Sequence, residues 1–388
     1  MQTSPFQTRR RPLFPQGPLV SVVGFGTYRL NLRDSLGREA LKKALLEGVN
    51  LIDTASNYGF GQSELLIGSV LEELIQEKKL IRADVVLVSK AGYIQGPALE
   101  LASAREWAKN PFPHVYQFTE ELWYCMSPEF LKDQIDRSLS RMGVTYLNTF
   151  LIHNPEYVLK ALQKEHHNEE LARNLFFEQL KESFNFLETL AQEGKIKSFG
   201  ISSNILGLPD SDGISLSSLL ALGHYPHFKV IECPLNWLEI APLFYDSEGG
   251  QSVINLAQEK GIGVLINRPF NAMWEGALLR LTSPPQVTNE LEATWKKLSD
   301  DLERLSKSKL EMNPGFEDAP LSQLVLSLLC SIQDVSSVLC GMRKPHYVDD
   351  VRDALRRPFL LNARTLLYEI FESIELERDS SEMTTMVE

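Results

Sequence analysis

The sequence predicts an α/β protein, a (β/α)8 TIM barrel with long loops after strands 3, 4 and 7, and three observations predict it. Short β-branched runs alternate with longer amphipathic segments along the 388-residue chain, the rhythm of βα units that build a parallel sheet. Eight such runs can be read, the number a closed barrel needs. The stretches too long for ordinary connections all follow strands, so they leave the sheet at the same end.

Strands are read at Val20–Gly24, Asn50–Asp53, Val85–Lys90, Thr149–Ile152, Ile196–Ile201, Val230–Pro234, Gly263–Asn267 and Val335–Gly341. Between them, Ser35–Glu47 carries Leu36, Ala40, Ala44 and Leu45 at helical spacing. Ser63–Gln76 opens on Ser63 as an N-cap, and Ser127–Met142 opens on Ser127-Pro128-Glu129, a cap followed by proline at the first helical position. Glu178–Glu193 stops at Gly194, Ser252–Glu259 stops at Gly261, and Leu321–Ser331 leads into the last strand. The long connections are Gly92–Met126, Asn154–Phe177 and Arg268–Pro320, the last with a helix over Glu290–Lys307. They read as walls of an active site on one domain spanning residues 1–377, followed by a frayed polar tail over 378–388.

The formal net charge of −12 argues against a nucleic-acid partner, which wants clustered Lys and Arg, and no run of about 18 apolar residues predicts a membrane span. Cys125, Cys233, Cys330 and Cys340 form no CxxC pair and read as reduced, mostly buried thiols. Arg9, Arg10 and Arg11 are followed by no apolar stretch, and Pro5, Pro12 and Pro15 break any amphipathic targeting helix. These features predict a cytoplasmic protein whose partner is a small molecule. Oligomeric state is not legible.

Four polar side chains fall at or just beyond strand ends. Asp53 closes strand two, Tyr58 lies in the next loop, Lys90 closes strand three and His153 closes strand four. Adjacent parallel strands lie ~5 Å apart, so the four converge on one face. Together they suit reduction of a carbonyl. A hydride arriving at the carbon leaves charge on the oxygen, which needs a proton donor and positive surroundings. Tyr58 is the donor. An ammonium at Lys90 is expected to lower its pKa, Asp53 to hold Lys90, and His153 to fix the carbonyl oxygen. Each residue alone has a plain structural alternative: Asp53 in a turn, Lys90 reaching the rim, His153 as a satisfied core histidine. Their order along successive strands favours the catalytic reading.

Asp53-Thr54-Ala55 through Tyr58-Gly59, then Gly61 and Ser63-Glu64, resembles the strand-two signature of the aldo/keto reductases, and Ser89-Lys90 and Ile152-His153 resemble its next two stations. The resemblance runs from about Val20 to Asp350 and implies an NADPH-dependent oxidoreductase, with NADH possible. It implies that Gly26 and Thr27, in Gly24-Phe25-Gly26-Thr27, lie near the nicotinamide, and that Ser203 and Asn204 hold its carboxamide. From the residues alone, Ser203-Asn204 is equally a helix N-cap. Gly341, Arg343 and Lys344 combine two cations with a helix start at Pro345, a phosphate-binding pattern. They resemble the segment that grips the adenosine 2′-phosphate; the plain alternative is a basic surface turn.

The sequence also departs from the family. Glu232 stands where a Gln binds the carboxamide, and Asn267 where an aromatic stacks on the nicotinamide. Tyr347 and Val351 stand where Arg and Asn hold the adenosine end, while Arg268 reads as a pyrophosphate contact. No Gly-x-Gly-x-x-Gly, Walker loop, His-Glu-x-x-His or nucleophile elbow is present. His166-His167 reads as a solvated helix face, not a metal site, and Trp107, Trp123 and Tyr124 read as either pocket lining or a local core. Three functions follow: a carbonyl reductase, the same enzyme run as an alcohol or sugar dehydrogenase, or a non-catalytic NADP(H)-binding regulatory protein, which the departures motivate.

Overall fold

The computed structural model describes residues 4–166, 168–208, 214–247, 249–274, 277–282, 290–311 and 313–385. Eight parallel strands close into a barrel: β1 (Val23–Gly26), β2 (Leu51–Asp53), β3 (Val86–Ala91), β4 (Leu147–His153), β5 (Ile196–Ser202), β6 (Phe228–Pro234), β7 (Gly263–Asn267) and β8 (Ser337–Cys340). They neighbour one another in chain order, and β8 pairs with β1. The outer helices are α1 (Ser35–Glu47), α2 (Gln62–Gln76), α3 (Pro128–Met142), α4 (Glu169–Gln192), α5 (Leu216–Ala221), α6 (Val253–Glu259), α7 (Leu321–Ser331) and α8 (Pro345–Arg356). Caps set their ends: Asp34 accepts from Gly37 N, Ser127 from Phe130 N and Ser252 from Asn255 N.

Two apolar regions hold the barrel together. The larger lies between strands and helices, and the smaller fills the barrel with Leu51, Val86, Val88, Leu151, Val230, Leu265 and Leu339. The smaller also contains Leu13 and Val20, which belong to an N-terminal hairpin in which Arg10–Pro12 pairs antiparallel with Leu19–Ser21. This hairpin corrects the expected first strand, Val20–Gly24. The chain turns at Ser21, whose N–H donates to Asn50 Oδ1 (2.7 Å) and whose hydroxyl donates to the Val23 carbonyl (2.7 Å), so the barrel strand starts only at Val23. The hairpin closes the N-terminal end of the barrel, and Gly263 permits the approach, since a Cβ there would lie 1.8 Å from the Leu13 carbonyl oxygen.

The long connections carry structure of their own. In the first, Pro97–Trp107 is helical and Tyr93–Ile94, Trp123–Tyr124 and Tyr116–Gln117 form a small antiparallel sheet. The second is largely helical, over Glu156–Glu165 and then α4, which starts nine residues before the expected Glu178. Ala172, Phe176, Leu180, Phe184 and Leu187 give α4 one buried stripe, and Asn168 caps it by accepting from Leu171 N at 3.0 Å. His166 stands beyond the end of the shorter helix rather than on its face, and His167 lies outside the described residues. The third contains a hairpin, Asn271–Trp274 with Ala277–Arg280, and a helix over Glu290–Leu310. A final helix, Ala363–Thr385, continues through most of the stretch expected to be a frayed tail; residues 386–388 lie outside the described residues. All four cysteines are free and buried, and no described helix is long and apolar enough to cross a membrane.

Arg11 locks the hairpin to the barrel. Its guanidinium donates to the carbonyl of Cys330 (2.6 Å), in the last turn of α7 where helix carbonyls lack intrahelical partners, and to those of Ile332 (2.6 Å) and Val335 (2.7 Å) in the turn that follows. Arg11→Met is expected to lower the unfolding free energy by about 2–4 kcal/mol, because it strands these acceptors. Arg10→Met at the exposed neighbouring position serves as the control, expected within about 0.5 kcal/mol. Urea unfolding of both variants checks this, and equal midpoints would remove the locking role.

Candidate active site

The period-two alternation of a strand places the polar residues. Leu51, Val88, Leu151, Val230 and Leu265 point into the barrel, so the residues two positions on, Asp53, Lys90, His153, Glu232 and Asn267, point the same way at its C-terminal mouth. One ring of side chains thus changes from apolar to ionisable between two layers of the same barrel.

Lys90 is the centre of that ring and is fully buried. Its Nζ donates to Asp53 Oδ1 and, at 3.0 Å, to Glu232 Oε2. The other oxygen of Glu232 accepts from Asn267 Nδ2 at 2.8 Å. Burial disfavours the ammonium, but Asp53 and Glu232 outweigh it and hold the Lys90 pKa above the ordinary lysine value. For Asp53, burial and then the Glu232 charge push the pKa up to about 8 against the pull of Lys90. Two carboxylates crowded onto one ammonium cannot both ionise freely.

Tyr58 stands over this cluster. It begins a tight turn in which Gly59, Phe60 and Gly61 all take positive φ. Its backbone N–H donates to the Ala55 carbonyl at 3.1 Å, and Ser56 N donates to the Lys90 carbonyl at 2.9 Å, which anchors the turn to β3. Lys90 Nζ lies 5.5 Å from the Tyr58 ring centroid. Burial pushes the phenol pKa up; the charge and hydrogen bond of Lys90 pull it down, but Asp53 and Glu232 oppose that pull and the net is upward. This corrects the expectation that Lys90 makes Tyr58 more acidic than a free tyrosine. Burial of the phenol is the main reason, and the second carboxylate beside the ammonium, Glu232, adds to it.

The His153 ring meets the Tyr58 ring edge-on at 5.9 Å and the Tyr93 ring at 4.9 Å. Burial, then the Lys90 charge, lowers its pKa well below the ordinary histidine value, so the imidazole is neutral. Its Nδ1 is buried and has no hydrogen-bond partner among the described residues.

The expected cofactor residues divide. Gly26 ends β1 beside Asp53, and a Cβ on it would come 3.4 Å from the Cys340 carbonyl oxygen. Thr27 is fully buried and holds the strand end: its N–H (3.1 Å) and hydroxyl (2.8 Å) both donate to the Asp53 carbonyl. Ser203 is buried with its hydroxyl donating to Glu156 Oε2 (2.9 Å), while the Asn204 side is exposed and its N–H donates to Glu156 Oε1 (3.1 Å). The pair opens no helix, since α5 begins at Leu216 with Ser215 as its cap. Arg268 is not free, because Glu239 Oε1 holds it at 2.6 Å. Lys344 is the N-cap of α8, Arg343 and Gly341 beside it are exposed, and Tyr347 lies in the first turn with its ring 5.8 Å from Lys344 Nζ.

Other residues at the mouth had not been singled out. Glu156, a buried carboxylate at a helix start, orients Ser203 and Asn204; nothing in its local sequence marks it, because acids are common in first turns. Tyr93 faces His153 and meets Tyr124 and Tyr157, which stack on each other at 5.7 Å. Phe118 packs edge-on to Tyr157, and Tyr28 edge-on to Tyr58. Of the aromatics weighed earlier, Tyr124 joins this wall, Trp123 is part-buried beside it, and Trp107 is 90% exposed and lines nothing.

Known proteins share this arrangement of chain and barrel. The chain is 27% identical over 382 residues to the NADH-specific methylglyoxal reductase of Escherichia coli (strain K12), covering 95% of this chain and 99% of that one. It is 27% identical over 252 residues to the NAD(P)H-dependent D-xylose reductase of Scheffersomyces stipitis, covering 62% of this chain and 68% of that one. Among solved structures, the holo form of the aldo-keto reductase AKR11C1 from Bacillus halodurans superposes with a TM-score of 0.63 at 20% identity, covering 93% of this chain and 96% of that one. An aldo/keto reductase from Klebsiella pneumoniae in complex with NADP and acetate superposes with a TM-score of 0.59 at 18% identity, covering 94% and 95%. The sequence pattern of the aldo/keto reductase family matches residues 22–362, and this chain belongs to that family of oxidoreductases.

Proposed function

We propose that the protein reduces a small aldehyde or ketone with NADPH, and that Tyr58, Lys90, His153 and Asp53 carry the proton chemistry. The convergence of Lys90 on Tyr58 at the barrel mouth is the observation that carries this reading. A bound nicotinamide cofactor supplies the hydride that reduces the carbonyl carbon. Tyr58 donates its hydroxyl proton to the carbonyl oxygen as negative charge develops there, since an alkoxide is a far stronger base than a phenolate. Lys90 stabilises the phenolate left behind, and Asp53 keeps Lys90 charged and in place. Neutral His153 offers a ring N–H to the same oxygen and fixes its position. The Tyr93, Tyr157 and Phe118 wall keeps water from the reacting centre. The same groups serve alcohol oxidation, with Tyr58 then accepting the proton.

The residues present fit a dinucleotide. Asn267 Oδ1 is buried at the mouth with no hydrogen-bond partner among the described residues, an acceptor suited to a carboxamide NH2. Ser203 and Asn204 follow the end of β5, two strands along the same mouth from β7. Arg343 and Lys344 enter no ion pair among the described residues and flank the N-terminus of α8, which suits a ribose 2′-phosphate. NADPH is therefore the proposed cofactor, with NADH accepted. Free buried thiols and the balance of charge suit a cytoplasmic enzyme.

Tyr58→Phe is expected to cut kcat by about 10²–10⁴-fold while leaving the NADPH Kd within about threefold, because only the proton donor is removed. Stopped-flow turnover with methylglyoxal, nitrobenzaldehyde and xylose, beside fluorescence titration of NADPH, checks it; unchanged turnover would sink the assignment. Cofactor binding by the wild type with no turnover across that panel would favour the regulatory reading instead. The double variant Arg343→Ala/Lys344→Ala is expected to raise KM for NADPH about 10–100-fold and KM for NADH less than about threefold. An equal loss for both cofactors would remove the 2′-phosphate assignment.

A further inference from the structure

An ammonium has three N–H donors. At Lys90 two are committed to carboxylates, Asp53 Oδ1 and Glu232 Oε2, which leaves one for Tyr58. Glu232 is not a passing contact. It is 2% exposed, it reaches Lys90 from the far side of the barrel, and Asn267 Nδ2 pins its second oxygen at 2.8 Å. Both oxygens are therefore committed inside the ring, and the side chain is held rigidly against the ammonium.

We propose that Glu232 is a second counter-ion of Lys90 that withholds part of the ammonium's charge from Tyr58, so that the phenol keeps its proton and the site favours protonating a carbonyl oxygen over taking a proton from an alcohol. The proposal rests on the reductase reading above. A glutamine at this position would keep the contacts in shape but would bring no charge.

The other groups facing Lys90 do not cancel this charge. Asp53, from β2, is already its partner, Tyr58 is the group being tuned, and His153, from β4, is neutral. Asn267, from β7, is uncharged, and Arg268 beyond it is paired with Glu239. Glu156, behind Ser203 on the β5 side, adds a further buried carboxylate, not a cation. Cys233 follows Glu232 on β6, and its thiol stays protonated because burial, then the Glu232 charge, raises its pKa. The ends of β1 and β8 bring only Gly26, Thr27 and Cys340 to the ring. Above the Asp53 pKa of about 8, one ammonium faces two charged carboxylates, with no second cation at the ring among the described residues, and in that alkaline range the surplus negative charge opposes formation of a phenolate.

Glu232→Gln tests this on the full chain with cofactor bound. The basic limb of the kcat profile for aldehyde reduction should move down by at least one pH unit, and the ratio of alcohol oxidation to aldehyde reduction at pH 7 should rise about tenfold, one pKa unit in Tyr58 being a tenfold change in phenolate. KM for the cofactor should change less than about threefold. Glu232→Asp, which keeps the charge, should restore the wild-type limb. An unmoved limb with a tenfold rise in cofactor KM would overturn the proposal and make Glu232 a carboxamide contact. A second measurement needs no turnover and no change at Glu232: the tyrosinate difference spectrum of the wild type against a folded Tyr58→Phe variant should show no Tyr58 ionisation up to about pH 10, the free-tyrosine value. Ionisation below that would overturn the proposal even if the protein reduces no carbonyl. A silent aldehyde panel with this spectrum as expected would instead count against the reductase reading alone.

Discussion

A charged lysine held inside a protein needs partners, because transferring an ammonium out of water costs several kcal/mol that only close, well-aligned opposite charges offset. Lys90 is fully buried, and its partners come from opposite sides of the barrel: Asp53 on β2 and Glu232 on β6. The rest of the site is arranged around that requirement. Thr27 clamps the end of the Asp53 strand, Asn267 pins Glu232, and the turn that carries Tyr58 is anchored on the Lys90 backbone. An ion cluster of this kind is weak evidence for stability and strong evidence for a specified geometry.

The barrel makes the cluster possible by changing character along its axis. Its lower layers are apolar and are closed from below by Leu13 and Val20 of the N-terminal hairpin, which puts packed apolar side chains between the cluster and that end. The top layer carries the ionisable groups. Above it stands the aromatic wall of the first two long connections, in which Tyr93 accepts a hydrogen bond from Asn154 at 2.6 Å. Low dielectric on both sides strengthens the Lys90 interactions and raises the cost of a stray charge on His153 or Tyr58.

Much of this was legible in the residues. Seven of the eight strands lie close to where alternation and turn signals place them, and the polar residues at the ends of strands two, three and four meet at one mouth. The misplaced first strand and the missed start of α4 share a cause: local apolar content marks a buried segment but does not say which neighbour buries it. Val20 is as apolar as Val23, yet one belongs to a hairpin under the barrel and the other to its wall.

The sequence by itself determined the barrel, the end of it where the ionisable side chains gather, and which residue types stand there, because strand period and chain order dictate which side chains share an end. The tertiary structure alone decided the charge balance. That Glu232 reaches Lys90, that Arg268 turns to Glu239, and that Glu156 holds Ser203 depend on distances across the barrel between residues 29 to 142 positions apart in the chain. No spacing rule spans such separations, and the burial that raises the Tyr58 pKa is likewise a property of the packed barrel mouth.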